Sequence, residues 1–156
     1  MARTRFLRVG LGVAGSLLLA ASSASAGGPY QFFTVPPCRV VDTRNPTGPL
    51  GGPSLAGGAV RSFPITGMCA IPSTAQAVVF NVTVVGPTGA GHLRIWPYNT
   101  TMPLVSTMNF EVGDPAIANG AIVPLTTAPT ANISIYLGTG AGTNADLVLD
   151  ITGYFQ

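Results

Sequence analysis

One short segment brings together the side chains best suited to binding. His92, Arg94 and Trp96 alternate with two aliphatic residues, and Tyr98 follows soon after. This alternation predicts a β-strand whose aliphatic residues face a core, so the other three side chains point away from it. Aromatic planes beside arginine and histidine donors suit a sugar ring or a partner protein. The alternatives are an outer sheet face with ordinary exposed residues, or a tryptophan that a loop covers.

A second set of side chains predicts a structural ion pair. Arg39, Asp42 and Arg44 lie close together near the start of the chain, and Asp150 lies in an apolar segment near its end. A carboxylate within an apolar strand needs a cationic or donor-rich partner. We therefore expect Asp150 to pair with Arg39 or Arg44, which would tie the first strands to the last.

Calcium is the alternative use of these carboxylates. A site built from Asp42, Asp146 and Asp150 would need six to eight oxygen ligands, usually supplied in part by a local loop such as D-x-D-x-D-G. The sequence contains no such loop. We predict no metal site and no cofactor.

The patterns of common catalytic sites are missing. His92 is the only histidine and has no cysteine nearby, and Glu111 is the only glutamate. Glycoside hydrolysis needs two paired carboxylates. Serine catalysis of the hydrolase type needs a G-x-S-x-G turn, which the sequence lacks. We predict that the chain is not an enzyme.

The first 26 residues have the pattern of a secretory signal. Three arginines precede an apolar segment over residues 9–20, and the small residues 24–26 fit the cleavage rule. The apolar segment is shorter than the roughly 20 residues that span a bilayer, although a retained anchor is the alternative. We expect a secreted protein, extracellular or attached to the cell wall, that has no membrane contact after cleavage.

Cys38 and Cys69 are the only cysteines. Outside the cytoplasm an isolated pair most simply forms one disulfide, whereas a redox or metal role would need spacing such as C-x-x-C. The bond would close a loop of about 32 residues and stabilise the fold by roughly 3–4 kcal/mol. Two free thiols are the alternative.

Removal of residues 1–26 leaves four arginines against five acidic residues, a net charge of −1. Phosphate binding needs clustered lysine or arginine, so we expect no nucleic-acid partner. Residues 27–156 are long enough for one ordinary domain. The low content of charged residues, 8%, together with 20 glycines and 14 prolines, is typical of a β-rich extracellular module.

The segment 77–85, A-V-V-F-N-V-T-V-V, predicts the central strand of the fold. Its valines and Phe80 alternate so that one face is wholly apolar and lies on the core, while the other face is mixed. A Gly-rich turn over 86–91 then leads to the alternating segment 92–96, a pattern that predicts a hairpin. Segments 30–35 and 38–43, separated by two prolines, predict two further strands.

About nine short strands follow one another without helical periodicity after residue 26. Their spacing predicts an all-β fold, an antiparallel β-sandwich of the jelly-roll or immunoglobulin-like kind, with a small β-barrel as the alternative.

Several motifs in a fixed order resemble a secreted bacterial β-module of actinobacterial type. They are P-C-R-V-V-D-T-R over 37–44, N-V-T-V within 71–84, G-P-T-G-A-G-H-L-R-I-W-P over 86–97 and D-I-T-G-Y-F over 150–155. Such modules often occur in tandem or beside hydrolase domains. The resemblance implies an accessory role at the cell surface or wall, and it carries over no catalytic residue.

Two functional classes fit these patterns. The first is a non-catalytic structural or adhesive module of the cell surface, since few charges leave sheet edges poorly protected against pairing. The second is a module that binds cell-wall or extracellular polysaccharide through the face around Trp96. The corresponding partners are surface proteins, another copy of the chain, or a cell-wall glycan.

Overall fold

The computed structural model of the chain describes residues 28–156, so the predicted leader lies outside the described residues. All regular structure in this part of the chain is β-strand, as the sequence predicts. The strands are β1 (Phe32–Asp42), β2 (Leu55–Ala56), β3 (Val60–Phe63), β4 (Ala77–Val85), β5 (Gly91–Pro97), β6 (Met108–Phe110), β7 (Ala116–Pro124), β8 (Ile133–Gly138) and β9 (Asn144–Phe155).

The nine strands form two antiparallel sheets. One is five-stranded, with the order β1-β9-β4-β7 and with β2 paired to β9; the other is four-stranded, with the order β3-β8-β5-β6. Both sheets are open, and one hydrophobic core contains residues of each. The fold is therefore a two-sheet sandwich rather than a closed barrel.

Strand β4 supplies the centre of the core, as its residue pattern predicts. Val78, Phe80, Val82 and Val84 are at most 1% exposed, whereas Asn81, on the opposite face, is exposed. Strand β4 lies between β9 and β7, and the inner residues of β8 belong to the same core cluster. β-Branched side chains pack well on such a pleated surface, which explains why valines dominate the strand.

The predicted hairpin of β4 and β5 is wrong. Strand β4 pairs with β7 and β9, while β5 pairs with β6 and β8 in the other sheet. The connecting turn crosses from one sheet to the other and is fixed to the start of β9 by Thr88, whose backbone N–H donates to the Asn144 carbonyl at 2.9 Å. Alternation shows which side chains face the core, but the same pattern fits either sheet of a sandwich.

The two strands predicted over 30–35 and 38–43 are a single edge strand, β1. Its pairing with β9 shifts register between Thr34 and Cys38, and again between Arg39 and Val41. Pro36 and Pro37 fall within the first irregularity, where their missing N–H groups interrupt no ladder hydrogen bond.

The predicted disulfide between Cys38 and Cys69 is present, with a Cα–Cα distance of 5.7 Å. It joins the bulged part of β1 to the connection between β3 and β4. The disulfide thus fixes this connection to β1 at the point where the prolines interrupt the strand.

Candidate binding surfaces

The segment 92–98 lies partly on the outer face of the four-stranded sheet, but a loop covers its tryptophan. Trp96 is only 7% exposed, and its indole N–H donates to the Thr100 carbonyl at 3.2 Å. Arg94 donates to the Pro103 carbonyl at 3.1 Å, so the connection over 98–107 folds back across this face. The expectation that Trp96 is exposed is wrong, and the loop-covered alternative describes the structure.

Tyr136 is the residue of this face that sequence reasoning missed. It is the register partner of Arg94, whose guanidinium carbon lies 5.6 Å from the Tyr136 ring centroid. The His92 ring lies 5.9 Å from the same ring. His92, Arg94, Tyr98 and Tyr136 are all half-buried. The alternation of N-I-S-I-Y-L over 132–137 places Tyr136 opposite the core residues and could have identified it.

On the outer face of the five-stranded sheet, Arg39 and Asp150 form a two-pronged ion pair. Arg39 Nε donates to Oδ1 at 2.8 Å and Nη2 donates to Oδ2 at 3.1 Å. The two residues are register partners on β1 and β9, so the pair joins the first strand to the last. The hydrogen bonds to Asp150 raise the pKa of Arg39.

Asp42 is buried and forms an ion pair with Arg44. Arg44 donates to its two carboxylate oxygens at 2.7 and 2.6 Å, and Arg39 approaches at 3.4 Å. The side-chain hydrogen bonds from Arg44 are the main cause that lowers the pKa of Asp42 to about 2. This carboxylate is therefore ionised at any physiological pH.

Asp146, the third carboxylate of the calcium alternative, is also hydrogen-bonded within the chain. Asp146 accepts hydrogen bonds from the hydroxyls of Thr43, at 2.8 Å, and Ser54, at 2.6 Å. Between residues 28 and 156, no three His, Cys, Asp or Glu side chains lie close enough together to hold a metal ion. These carboxylates connect strands and loops within the sandwich.

A shallow depression of about 450 Å³ lies beside the Arg39–Asp150 pair. Asn81, Thr152, Pro37 and Cys38 line it together with that pair. The strand pairing around it is irregular, since β1 shifts register against β9 and β9 shifts register against β4. Its lining offers guanidinium, amide, hydroxyl and carboxylate groups to a ligand.

A row of apolar side chains crosses the outer face of the same sheet, from β1 to β7. The apolar row consists of Phe32, Phe155, Val79 and Ile122. The rings of Phe32 and Phe155 lie 5.2 Å apart, and Val79 is the register partner of Ile122. Phe32 is 50% exposed and Ile122 is 63% exposed.

Gly153 makes room for this apolar row. A Cβ at Gly153 would lie 2.5 Å from Cε2 of Phe32, so only glycine lets the ring rest on the backbone of β9. Gly153 also pairs with Val79 on β4, which brings the phenylalanine and the valine onto one surface. The row therefore depends on register across four strands.

No protein-family model, curated protein or solved structure matches this chain. The resemblance to secreted actinobacterial β-modules therefore stays a prediction. Over the described residues, no helix has the length and apolar character needed to cross a membrane.

Proposed function

We propose that the chain is a non-catalytic, secreted module with a structural or adhesive role at the cell surface. The observation that supports this role best is the apolar row, which lies open on a sheet face whose charges are paired. Contiguous exposed apolar surface in a soluble protein marks a contact site with another macromolecule. The paired charges leave that surface almost neutral, so contact there desolvates no isolated ion.

The disulfide supports the proposed location. A cross-link between Cys38 and Cys69 suits an oxidising compartment outside the cytoplasm, and such bonds are rare inside it. The leader over residues 1–26 would take the chain there.

Cosedimentation with cell walls tests the proposed role. The full chain is expressed with its own leader in an actinobacterial host, and the exported protein is mixed with isolated walls. We expect Phe32→Lys to weaken wall binding at least tenfold, because the charge breaks the apolar row. Val60→Lys is the matched control, since Val60 is 53% exposed on the other sheet. Failure of the unaltered protein to sediment with walls, or equal binding by both variants, would contradict the proposal.

Polysaccharide binding is the second candidate function, and the depression beside Arg39 favours it. Asn81, Asp150 and Thr152 present donors and acceptors for sugar hydroxyls there. The exposed ring of Phe32 lies on the same sheet face and could stack on a sugar ring. Trp96 supports this function less, because the loop that buries it leaves no open ring face.

A glycan pull-down distinguishes the two candidates. Asn81→Ala and Thr152→Val should remove binding to purified cell-wall polysaccharide if the depression holds a sugar. Both residues are exposed, so the variants should keep the thermal midpoint of the parent protein. Retention of glycan binding by both variants would exclude the depression as the sugar site.

A further inference from the structure

The edges of the two sheets differ in how well they are protected against pairing with another strand. Strands β3 and β6 are edges of only four and three residues. Strand β1 is bulged at two places and contains two prolines and Arg39. Short length, bulges, proline and charge are the usual devices that prevent edge-to-edge association.

Strand β7 has almost none of these devices. It is nine residues long, reads A-I-A-N-G-A-I-V-P, and contains no charged residue. It pairs with β4 from Ala116 to Pro124 without a register shift, and its only proline is its last residue. Over residues 28–156, β4 is its only strand partner. The Asn119 side chain donates to the Thr107 carbonyl at 2.7 Å, so the 98–107 connection meets this strand at one side chain, but over the same described residues no backbone hydrogen bond occupies its other edge.

The backbone groups on this open edge can be assigned. At the two ends of β7, the Leu125 N–H donates to the Gln76 carbonyl at 2.8 Å, and the Pro115 carbonyl accepts from the Gly86 N–H at 3.2 Å. Successive residues of a strand direct their N–H and C=O groups to opposite sides. Odd-numbered residues of β7 therefore face β4, and Ala118, Gly120 and Ile122 direct their backbone groups away from it.

We propose that β7 pairs with the β7 strand of a second copy of the chain, in antiparallel orientation, to join two five-stranded sheets into one. This inference rests on the proposed structural role and names the surface and partner for it. The free N–H and C=O groups of alternate residues are what an added strand requires. Use of the same strand by both copies gives a closed, two-fold contact.

Charge and side-chain size both favour the antiparallel orientation. Glu111 and Asp114 precede β7, so a parallel pair would bring the acidic ends of both copies together. An antiparallel pair centred near Asn119 and Gly120 separates them. It also places the large Ile122 of one copy against the small alanines at the start of the other β7 strand.

Two lysine variants test the contact, one on the proposed edge and one away from it, at glycines with equally open surroundings. A side chain at Gly120 or at Gly140 meets no atom within 4 Å, and neither glycine has a positive φ. Gly120 lies in the middle of the open edge, whereas Gly140 lies in the connection between β8 and β9. In a two-fold dimer, Gly120→Lys places two like charges side by side, whereas Gly140→Lys should leave the dimer unchanged.

Sedimentation equilibrium of the exported protein over a wide range of concentration measures the effect. We expect a concentration-dependent dimer that is at least about tenfold weaker in Gly120→Lys and unchanged in Gly140→Lys. A protein that stays monomeric at every concentration would overturn the inference. Equal weakening in both variants, or none in Gly120→Lys, would also overturn it.

Amide hydrogen exchange locates the contact independently. The Ala118, Gly120 and Ile122 amides should exchange rapidly in dilute protein and slowly in concentrated protein. The Ala121 amide, which faces β4, should be protected at both concentrations. Concentration-independent exchange of the three outward amides would exclude β7 as the interface.

Wall binding separates this inference from the proposed function. Phe32→Lys should dimerise normally, because Phe32 lies at the far side of the sheet from β7. If the unaltered protein binds walls but never dimerises, the inference fails and the adhesive role stands. If it dimerises through β7 but does not bind walls, the adhesive role fails and the inference stands as an assembly contact.

Discussion

The two sheets share one core but have different outer faces. On the four-stranded sheet, the connection over 98–107 folds back and accepts hydrogen bonds from Trp96 and Arg94. On the five-stranded sheet, Phe32 and Ile122 stay at least half exposed. The long 98–107 connection thus forms a second, smaller packed layer on the outer face of the four-stranded sheet. The cover is local, because Val60 on β3 is 53% exposed and Leu104 and Val105 of the connection itself are 90% and 72% exposed.

Covered and exposed side chains therefore contribute to different free energies: the first to that of folding, the second to that of binding a partner. Side chains under the 98–107 connection contribute to the stability of folding, since their burial removes apolar surface from water. Side chains of the apolar row contribute little to folding until a partner covers them. Substitutions should therefore rank by how completely the folded chain covers each side chain.

The largest effect should come from the core that both sheets share. Phe80 is 1% exposed on β4, and Phe80→Ala should lower the free energy of unfolding by about 3–5 kcal/mol, because it leaves a cavity. Urea denaturation followed by fluorescence measures this change. Val79→Ala, one residue earlier on the outer face, is the control and should cost less than half as much. Equal midpoints for both variants would show that the two faces of β4 are not distinct.

The covered tryptophan should rank second. Trp96→Ala should cost about 2–4 kcal/mol, near the lower range for buried aromatic residues, because the covering loop can partly close the space. Phe32→Ala, which removes an exposed ring from the other outer face, should cost under about 1 kcal/mol. Thermal midpoints of the two variants provide the measurement. A Trp96→Ala midpoint close to that of the parent would mean that the loop over 98–107 does not cover this face in solution.

Alternation along single strands predicted which side chains face the core, but it placed β4 and β5 wrongly relative to each other. The faces of β4 follow from its valines alone. The same logic placed Trp96 on an outer face, but the loop that covers it has no periodic pattern to read. The sheet to which β5 belongs depends on the path of the preceding turn, which hydrophobic pattern does not encode.

The ion pairs and the apolar row show the same limit. The sequence left Asp150 with either Arg39 or Arg44 as its partner. The bulges of β1 decide between them, because they place Arg39 opposite Asp150 while Arg44 turns to Asp42. The apolar row needs Gly153 beneath the Phe32 ring and a register that spans four strands. Such long-range register cannot be derived from local residue types.

The third-largest change in the free energy of unfolding should come from acidification, which acts on the outer face that carries the ion pairs. The pKa of Asp42 lies at about 2 in the folded chain, below its ordinary value of 3.8. The stabilisation that this shift supplies is fully present above pH 3.8 and is lost as the pH falls through about 2. It amounts to about 1–2 kcal/mol, since water screens the half-exposed Arg44.

Urea denaturation at a series of pH values measures this loss. The free energy of unfolding should fall as the pH drops from about 4 to about 2 in the parent protein. Asp42→Asn removes the titrating carboxylate. Its free energy of unfolding should therefore be lower than that of the parent at about pH 4 and should fall less between about pH 4 and about pH 2. An identical pH dependence in both proteins would assign the acid sensitivity to other carboxylates.

The smallest effect should come from the open end of the apolar row, and two neighbouring residues allow a matched test. Ile122 and Val123 are consecutive in β7, yet Ile122 is 63% exposed and Val123 is 4% exposed, since they point to opposite faces. Ile122→Thr keeps the β-branch and should change the unfolding free energy of dilute protein by under about 0.5 kcal/mol. Val123→Thr keeps the shape but buries a hydroxyl group, and should cost about 1–3 kcal/mol. Chemical denaturation at low protein concentration measures both without a contribution from the proposed dimer. If Ile122→Thr cost as much as Val123→Thr, the folded chain itself would cover Ile122, and the outer face of the five-stranded sheet would not be open to a partner.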